Sequence, residues 1–268
     1  MFIQVYFDRC PCYFLSNHPD DDHYVSFIVT KLFKFSYKMI CSRCTNYEQK
    51  TELPRIIQTQ LDLKQYNIQG TIYRLDCNKC NQFVAIKVND NILDINNSFQ
   101  DKYENNWNEV KTNQERLIYY ILCRIIYVEL DTPKPEKLET PYDYADNFDI
   151  VLIRWENGIP IGFYTVKPKG TEVYSTNERY TMPVLDTAYI RSKYRNKGFG
   201  TEILFDMIKR FPNEDIGFSK PISDNMLKVL QKFLRNYKEY RLRFWEIADW
   251  DIYDSQKLIW FGVRDKLL

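Results

Sequence analysis

Apolar positions recur along this chain with two different periods, and the change of period marks its elements. Leu117, Ile118, Ile121, Leu122, Ile125 and Val128 fall on one face of a helix. Thr112 and Glu115 stand before them at capping-box spacing, which predicts a core helix over residues 113–129. The chain up to residue 100 reads instead as β with turns. Residues 83–88 form a half-buried strand, and Asn89, Asp90 and Asn91 turn it. Further on, apolar runs at 149–155 and 159–167 flank Glu156-Asn157-Gly158. Asn-Gly between such runs predicts a hairpin, because a type I′ turn needs two positive φ angles. Pro160 suits a strand entry. A strand at 184–190 comes next, then a helix at 200–210 with Ile203, Leu204, Met207 and Ile208 as its stripe, ended by Phe211 and Pro212. A short strand at 215–218 leads to a second helix, N-capped by Ser223 or Asp224, with Leu227, Leu230, Phe233 and Leu234 facing the core. Strands at 241–247 and 257–263 close the pattern. Residues 131–146, with Pro133, Pro135 and Pro141 among polar neighbours, read as an extended linker and the main break. The order β-β-β-α-β-α-β-β after it predicts an α+β layout with a mixed sheet. The expected division is a β-rich, Cys-containing region over 1–100 and a second domain over 101–268.

Composition narrows the partners. Lys and Arg number 37 against 36 Asp and Glu, so the charge gives no case for nucleic acid, an anionic membrane or an acidic substrate. The most apolar long run, 117–130, is interrupted by Arg124 and Glu129 and falls short of the roughly 18 apolar residues of a membrane span. Residues 1–16 carry Asp8 and Arg9 and do not read as a secretory leader. Seven cysteines without a leader point to a reducing compartment, nucleus or cytoplasm.

There are only eight glycines in the 268 residues, so Gly198 and Gly200 close together call for a reason. They lie between the strand ending at Ile190 and the next helix. Glycine lets the backbone turn tightly and approach a ligand. The amides opening a helix are unpaired and sit at the positive end of its dipole, so Arg195, Asn196, Lys197, Gly198, Phe199 and Gly200 read as a phosphate cradle, and Thr201 follows them in the helix. The plainer reading is a glycine-bearing strand–helix turn with an exposed Arg. The loop lacks the Gly-Lys-Ser/Thr of a Walker motif and the third small residue of a dinucleotide fingerprint.

The strand 185–190, the segment 194–200 (YRNKGFG) and the helix after it resemble the acyl-CoA motif of the GNAT acetyltransferase superfamily. The stretches 159–168 (IPIGFYTVKP), 182–187 (MPVLDT) and 244–247 (FWEI), with the helix over 117–127, are similar to the GNAT-like core of the soluble lamin-associated protein family. The resemblance implies a GNAT-like mixed, mostly antiparallel sheet flanked by helices. It implies acetyl-CoA as co-substrate and transfer of its acetyl group to an amine on an unknown small-molecule or protein acceptor. The amides of 197–201 would hold the pyrophosphate, the Ile190 backbone would pair with the pantetheine arm, and Asn225 stands where a cofactor-contacting Asn is often found. Asp186 is the candidate base, with a buried hydrogen-bond acceptor as its bland alternative. The position of the family's acidic Tyr holds Lys232 and Phe233, which leaves Tyr237 or a water as the proton donor. That departure keeps a second reading open: a catalytically inactive GNAT-fold interaction protein of the nucleus or nuclear envelope, with lamina-type partners.

Cys41 and Cys44, then Cys77 and Cys80, form two Cys-x2-Cys knuckles separated by 32 residues. Such pairs suit a tetrahedral zinc, although the gap exceeds the roughly 15–20 residues of compact ribbons. Structural zinc, reduced structural thiols and redox activity stay open. Cys10, Cys12, His18 and His23 make a looser cluster near Asp20, Asp21 and Asp22, and Cys123 reads as a core thiol.

Overall fold

The computed structural model describes residues 56–95, 103–173, 176, 178–248 and 256–264, and the backbone of 27–32 and 36–41. The chain divides into two compact units, residues 1–98 and 99–268. In the first, β1 (Phe27–Leu32) and β2 (Ser36–Cys41) pair antiparallel. β3 (Ile56–Leu61), β4 (Ile72–Cys77), β5 (Phe83–Val88) and β6 (Asn91–Leu93) form a separate four-stranded antiparallel sheet in sequence order. β5 has the expected bounds, and Asn89 turns the chain after it with a positive φ of 52°. Leu75, Cys77, Val84 and Ala85 make the small core of this sheet.

The second unit is a seven-stranded mixed sheet flanked by helices, the α+β class expected. Its elements are β7 (Trp107–Glu109), α1 (Asn113–Tyr120), β8 (Ile150–Glu156), β9 (Ile159–Lys167), β10 (Val184–Ile190), α2 (Phe199–Arg210), β11 (Ile216–Ser219), α3 (Asp224–Asn236), β12 (Phe244–Ile247), β13 (Lys257–Leu258) and α4 (Ile259–Val263). The strand order is β13-β12-β11-β10-β9-β8-β7, parallel between β10, β11 and β12 and antiparallel elsewhere. The hairpin turn is the one Asn-Gly demands, with φ of 49° at Asn157 and 71° at Gly158. Neighbouring rings on β9 show the alternation of a strand. Phe163 packs edge-on against Tyr119 of α1, while Tyr164 goes to the other face and bonds Asp206 of α2. On that second face Leu204, Met207, Leu230, Leu234 and Phe244 form the main core.

Four elements depart from the sequence pattern. The edge strand β7 is too short to show a period. The first helix is α-helical only to Tyr120 and continues as a π-helix over Ile121–Asp131. The strand expected at 241–247 begins only at Phe244, after a 3-10 turn at Lys238–Tyr240. The strand expected over 257–263 pairs for Lys257 and Leu258 alone and then coils into α4, which buries Ile259 and Val263. A short apolar run fits either element, and contact with β12 and α3 decides it.

The Pro-rich segment 131–146 lies inside the second unit, and α1 with its continuation holds it down. Tyr127 donates its hydroxyl to the Thr140 carbonyl (2.9 Å), Arg124 donates to Tyr142 O (2.9 Å), and the Ala145 amide donates to the Tyr119 hydroxyl (3.2 Å). The Tyr127 and Tyr142 rings stack at 4.8 Å. Proline denies this segment a regular ladder, so its carbonyls find side-chain donors instead.

The capping box at α1 is formed. Thr112 Oγ1 accepts from the Glu115 amide (3.2 Å), and Glu115 Oε2 accepts from the Thr112 amide (2.8 Å). Burial raises the Glu115 carboxyl, but the Thr112 and Lys111 amides and the Thr112 and Tyr103 hydroxyls outweigh it and hold the group below the usual carboxylate range. A depressed folded value stabilises the protein above the unfolded value, and that stability is lost as pH falls through the folded one. Thr112→Ala should therefore cost about 1 kcal/mol in urea unfolding at neutral pH. The deficit of Glu115→Gln against wild type should close as pH drops below about 4. A deficit independent of pH would refute this account of the cap.

Candidate functional site

β10 and β11 are parallel neighbours that part almost at once. They pair at Val184–Gly217 and Leu185–Phe218, after which β10 runs on to Ile190 beside β9 alone. The parting begins at a bulge. The β9 register shifts between Leu185 and Thr187, so Asp186 is the extra residue. The bulge breaks the side-chain alternation, and Leu185, Asp186, Thr187 and Ala188 all line one cleft with Phe218, Ser219 and the start of α3. The Arg191 amide bonds Ile161 on the β9 side, so Ala188 and Ile190 present their backbone groups to the open side.

The turn after β10 is fixed from below. Asp131, the last residue of the π-helix, accepts from the Tyr189 hydroxyl (2.5 Å), the Ser192 amide (2.7 Å) and the Ser192 hydroxyl (2.8 Å). Burial, then the Asp131 charge, push the Tyr189 hydroxyl well above its ordinary range, so it remains a donor. The chain then reaches α2 through Asn196 (φ 62°) and Gly198 (φ 93°), the N-cap. Among the described residues, the amides of Lys197, Gly198, Phe199 and Gly200 have no backbone acceptor, as expected where a helix begins. The Thr201 amide differs, since it closes on the Gly198 carbonyl (2.9 Å). α2 is seated by Asp206, which binds Tyr164 and Arg210, and by Glu202, which meets Arg154 Nε at 3.1 Å.

The two glycines serve different ends. Gly198 supplies a left-handed φ with open space around it. Gly200 has ordinary dihedrals, but a Cβ there would stand 3.0 Å from Val229 Cγ2, so its smallness lets α2 lie close on α3.

The expected residues divide into those that converge and those that do not. Ile190, Asn196, Lys197, Gly198, Phe199 and Gly200 line the end of β10 and the opening of α2. Phe199 is buried under the Arg154 guanidinium (5.1 Å). Arg195, read as part of the phosphate cradle, turns back onto its own unit. Its Nε donates to the Ile190 carbonyl (2.8 Å), and its Nη1 faces Glu139 at 3.7 Å. Asn225, in the first turn of α3, donates to Glu139 Oε1 (3.0 Å). Asp186 lines the cleft half-buried. Burial lowers the nearby Lys167 ammonium, but the charges of Asp186, then Asp149 and Asp146, outweigh it and hold Lys167 above the usual lysine range. Tyr237 is not brought to the cleft. It ends α3, about 18 Å along the helix from Asn225 by helical rise, and packs on Phe205 and Phe233 (5.1 and 4.7 Å). Phe233, which with Lys232 stands where the GNAT resemblance leads one to expect a Tyr, stacks on Phe244 in the core. Sequence reasoning missed Asp131, Glu139 and Tyr142, which lie in or beside the Pro-rich segment and carry no motif.

In the first unit, Cys77 closes β4 and is buried. A tight turn to Asn81 (amide to Cys77 O, 2.8 Å) brings half-buried Cys80 round beside it. Cys44, the side chain of Cys41, and the cluster of Cys10, Cys12, His18 and His23 lie outside the described residues. Among the described residues, no group of three or more metal-ligating side chains gathers. Cys123 is a buried thiol, raised by burial to about 11.

The second unit thus defines a class: an α+β domain whose sheet opens between two parallel strands onto a helix N-terminus. No family model matches the chain. It is similar to mouse protein FAM169B, 31% identical over 160 residues that cover 58% of this chain and 47% of that protein. It is also similar to human protein FAM169BP, 32% identical over 125 residues, 45% of this chain and 64% of that one. The chain thus spans about half the length of the mouse relative and under two thirds of the human one. Among solved structures, a ribosomal-protein-alanine N-acetyltransferase from Brucella melitensis aligns over 33% of this chain and 66% of its own, with 16% identity and a TM-score of 0.25. Among the described residues, no helix is long and apolar enough to cross a membrane.

The packing role of Gly200 can be separated from any ligand role. Gly200→Leu should destabilise by about 1–3 kcal/mol through overpacking against Val229, and Val229→Ala should recover part of it. Strict additivity of the two changes in chemical denaturation would remove the packing explanation.

Proposed function

We propose that the second unit is an acyl-CoA-binding domain of the GNAT type and an N-acetyltransferase toward an amine acceptor. One observation carries this reading: β10 leaves β11 at Leu185 and presents the backbone of Ala188 and Ile190 beside the left-handed loop that opens α2. A pyrophosphate suits the amides of 197–200, where backbone donors and the positive end of the α2 dipole act together. An extended amide-bearing arm suits the open edge of β10, because it supplies the hydrogen bonds that a missing strand would supply. Lys193 and Lys197, both near the Tyr194 ring (5.0 and 5.4 Å), add positive charge beside the loop.

In this reading a backbone donor at the end of β10 polarises the thioester carbonyl. Asp186, at the bulge and half-buried, takes the proton of the attacking amine. The thiolate takes its proton from water, since Tyr237 lies in an aromatic cluster at the far end of α3.

A second reading keeps the fold and the cofactor site without turnover, as an interaction module. The core position of Phe233 favours it, because a hydroxyl acid is missing where one would reach a thiolate.

Acetyl-CoA should raise the melting temperature of the full chain. Gly198→Val, which puts a β-branched residue at φ 93°, should abolish that shift. Equal shifts in wild type and variant, or none in either, would refute cofactor binding at this loop. Given binding, a broad amine and peptide panel separates the two readings: transfer that Asp186→Asn reduces at least tenfold supports the enzyme, and binding without transfer supports the module.

A further inference from the structure

The open edge of β10 is already in use. The Tyr142 hydroxyl donates to the Ala188 carbonyl (3.2 Å), and Arg195 Nε donates to the Ile190 carbonyl (2.8 Å). Both carbonyls on that side therefore have side-chain donors from the same unit. Burial, then the adjacent Tyr127 hydroxyl, hold Tyr142 well above its ordinary range, so it stays a donor.

Glu139 lies next to this edge. It is only 7% exposed, a costly place for a carboxylate unless its oxygens are bonded. Oε2 accepts from the Lys134 amide (3.1 Å) and so closes the turn of its own segment. Oε1 reaches across the cleft, accepting from Asn225 at the start of α3 and facing Arg195 at the end of β10. A purely local role would need Oε2 alone. The other oxygen is an anion held between the two walls that the proposed cofactor would separate.

The remaining space agrees. The cleft lined by Leu138, Thr140, Tyr142, Asp186, Ala188 and Met226 holds about 60 Å³, whereas ligand sites run to roughly 300–1,000 Å³. An arm laid along β10 would meet the Tyr142 hydroxyl at Ala188 and Glu139 beside Arg195.

We propose that residues 134–142 form an internal strap that fills the acyl-CoA cleft, with Glu139 and Tyr142 occupying ligand positions, and that the cofactor binds by displacing it. This rests on the acyl-CoA reading of the same cleft. The strap is suited to release. Among the described residues, apart from the buried carboxylate it is held by single hydrogen bonds, the Tyr142 stack on Tyr127 and an edge-on contact with Phe163, and its prolines leave it outside any sheet.

The affinity of a site open only part of the time is reduced by the open fraction. Glu139→Ala should therefore bind CoA about tenfold more tightly than wild type in calorimetry on the full chain, with Tyr142→Phe moving the same way. Glu139→Gln, which keeps the shape and removes the charge, guards against a folding defect in the alanine variant and should also bind more tightly. In hydrogen exchange, CoA should slow the amides of 196–200 in wild type and speed those of 138–142. If CoA protects 196–200 while all three variants bind as wild type and 138–142 exchange unchanged, the strap is refuted and the cofactor site stands. If neither wild type nor any variant binds CoA, the cofactor reading falls and the strap's ligand with it.

Discussion

A strand that leaves its neighbour has to find other partners for its backbone, because buried amides and carbonyls left unbonded cost about 1–3 kcal/mol each. That constraint organises the second unit. β10 parts from β11 at Leu185, and side chains from the surrounding segments supply the missing partners or fix their geometry. Tyr142 and Arg195 take the Ala188 and Ile190 carbonyls, and Asp131 holds the strand's exit through Tyr189 and Ser192. The bulge at Asp186 re-aims the strand just where the pairing ends. A sheet fully paired between β10 and β11 would not need Tyr142 and Arg195 at these carbonyls, and would have no cleft there.

The local features were legible in the sequence because their causes are local. Asn157-Gly158 fixes its own turn, Thr112 and Glu115 cap the helix they precede, and Ser223 accepts from the Met226 amide as an N-cap does. The strand at 184–190 and the loop before α2 were readable for the same reason. What the pattern could not reveal depends on residues distant in sequence. β7 exists because β8 lies beside it, and α4 exists because two apolar side chains find α3 and β12 rather than a longer strand partner. The bulge at Asp186 is a mismatch between two strands, and neither strand's sequence carries it.

The Pro-rich segment shows how composition misleads when read alone. Proline and charge at 131–146 describe a chain that cannot enter a ladder, which is true of a free linker and of a packed strap alike. The difference lies in the partners. Tyr119, Arg124 and Tyr127 belong to the helix that periodicity assigned to the core, and they turn polar atoms toward the strap's backbone. An aromatic residue buries its ring and leaves a hydroxyl to satisfy. A tyrosine-rich helix beside a proline-rich segment is therefore a signal that the pair can bond, though periodicity alone does not register it.

The glycine pair makes the related point about function. Two glycines at one strand–helix junction read as a single phosphate cradle, yet only Gly198 has the left-handed backbone that such a loop requires, and Gly200 is explained by Val229. The cofactor reading therefore narrows from a motif to a geometry: the helix-opening amides beside a strand edge whose outward carbonyls are bonded by side chains rather than by a strand. The geometry is more specific, because it also says what would compete. An edge that accepts a ligand's amides accepts the chain's own donors by the same chemistry, and Arg195 and Asn225, two residues expected to hold the cofactor, instead hold Glu139. Arg195 and Asn225 were singled out from the sequence. The anion standing between them comes from a segment that carries no motif.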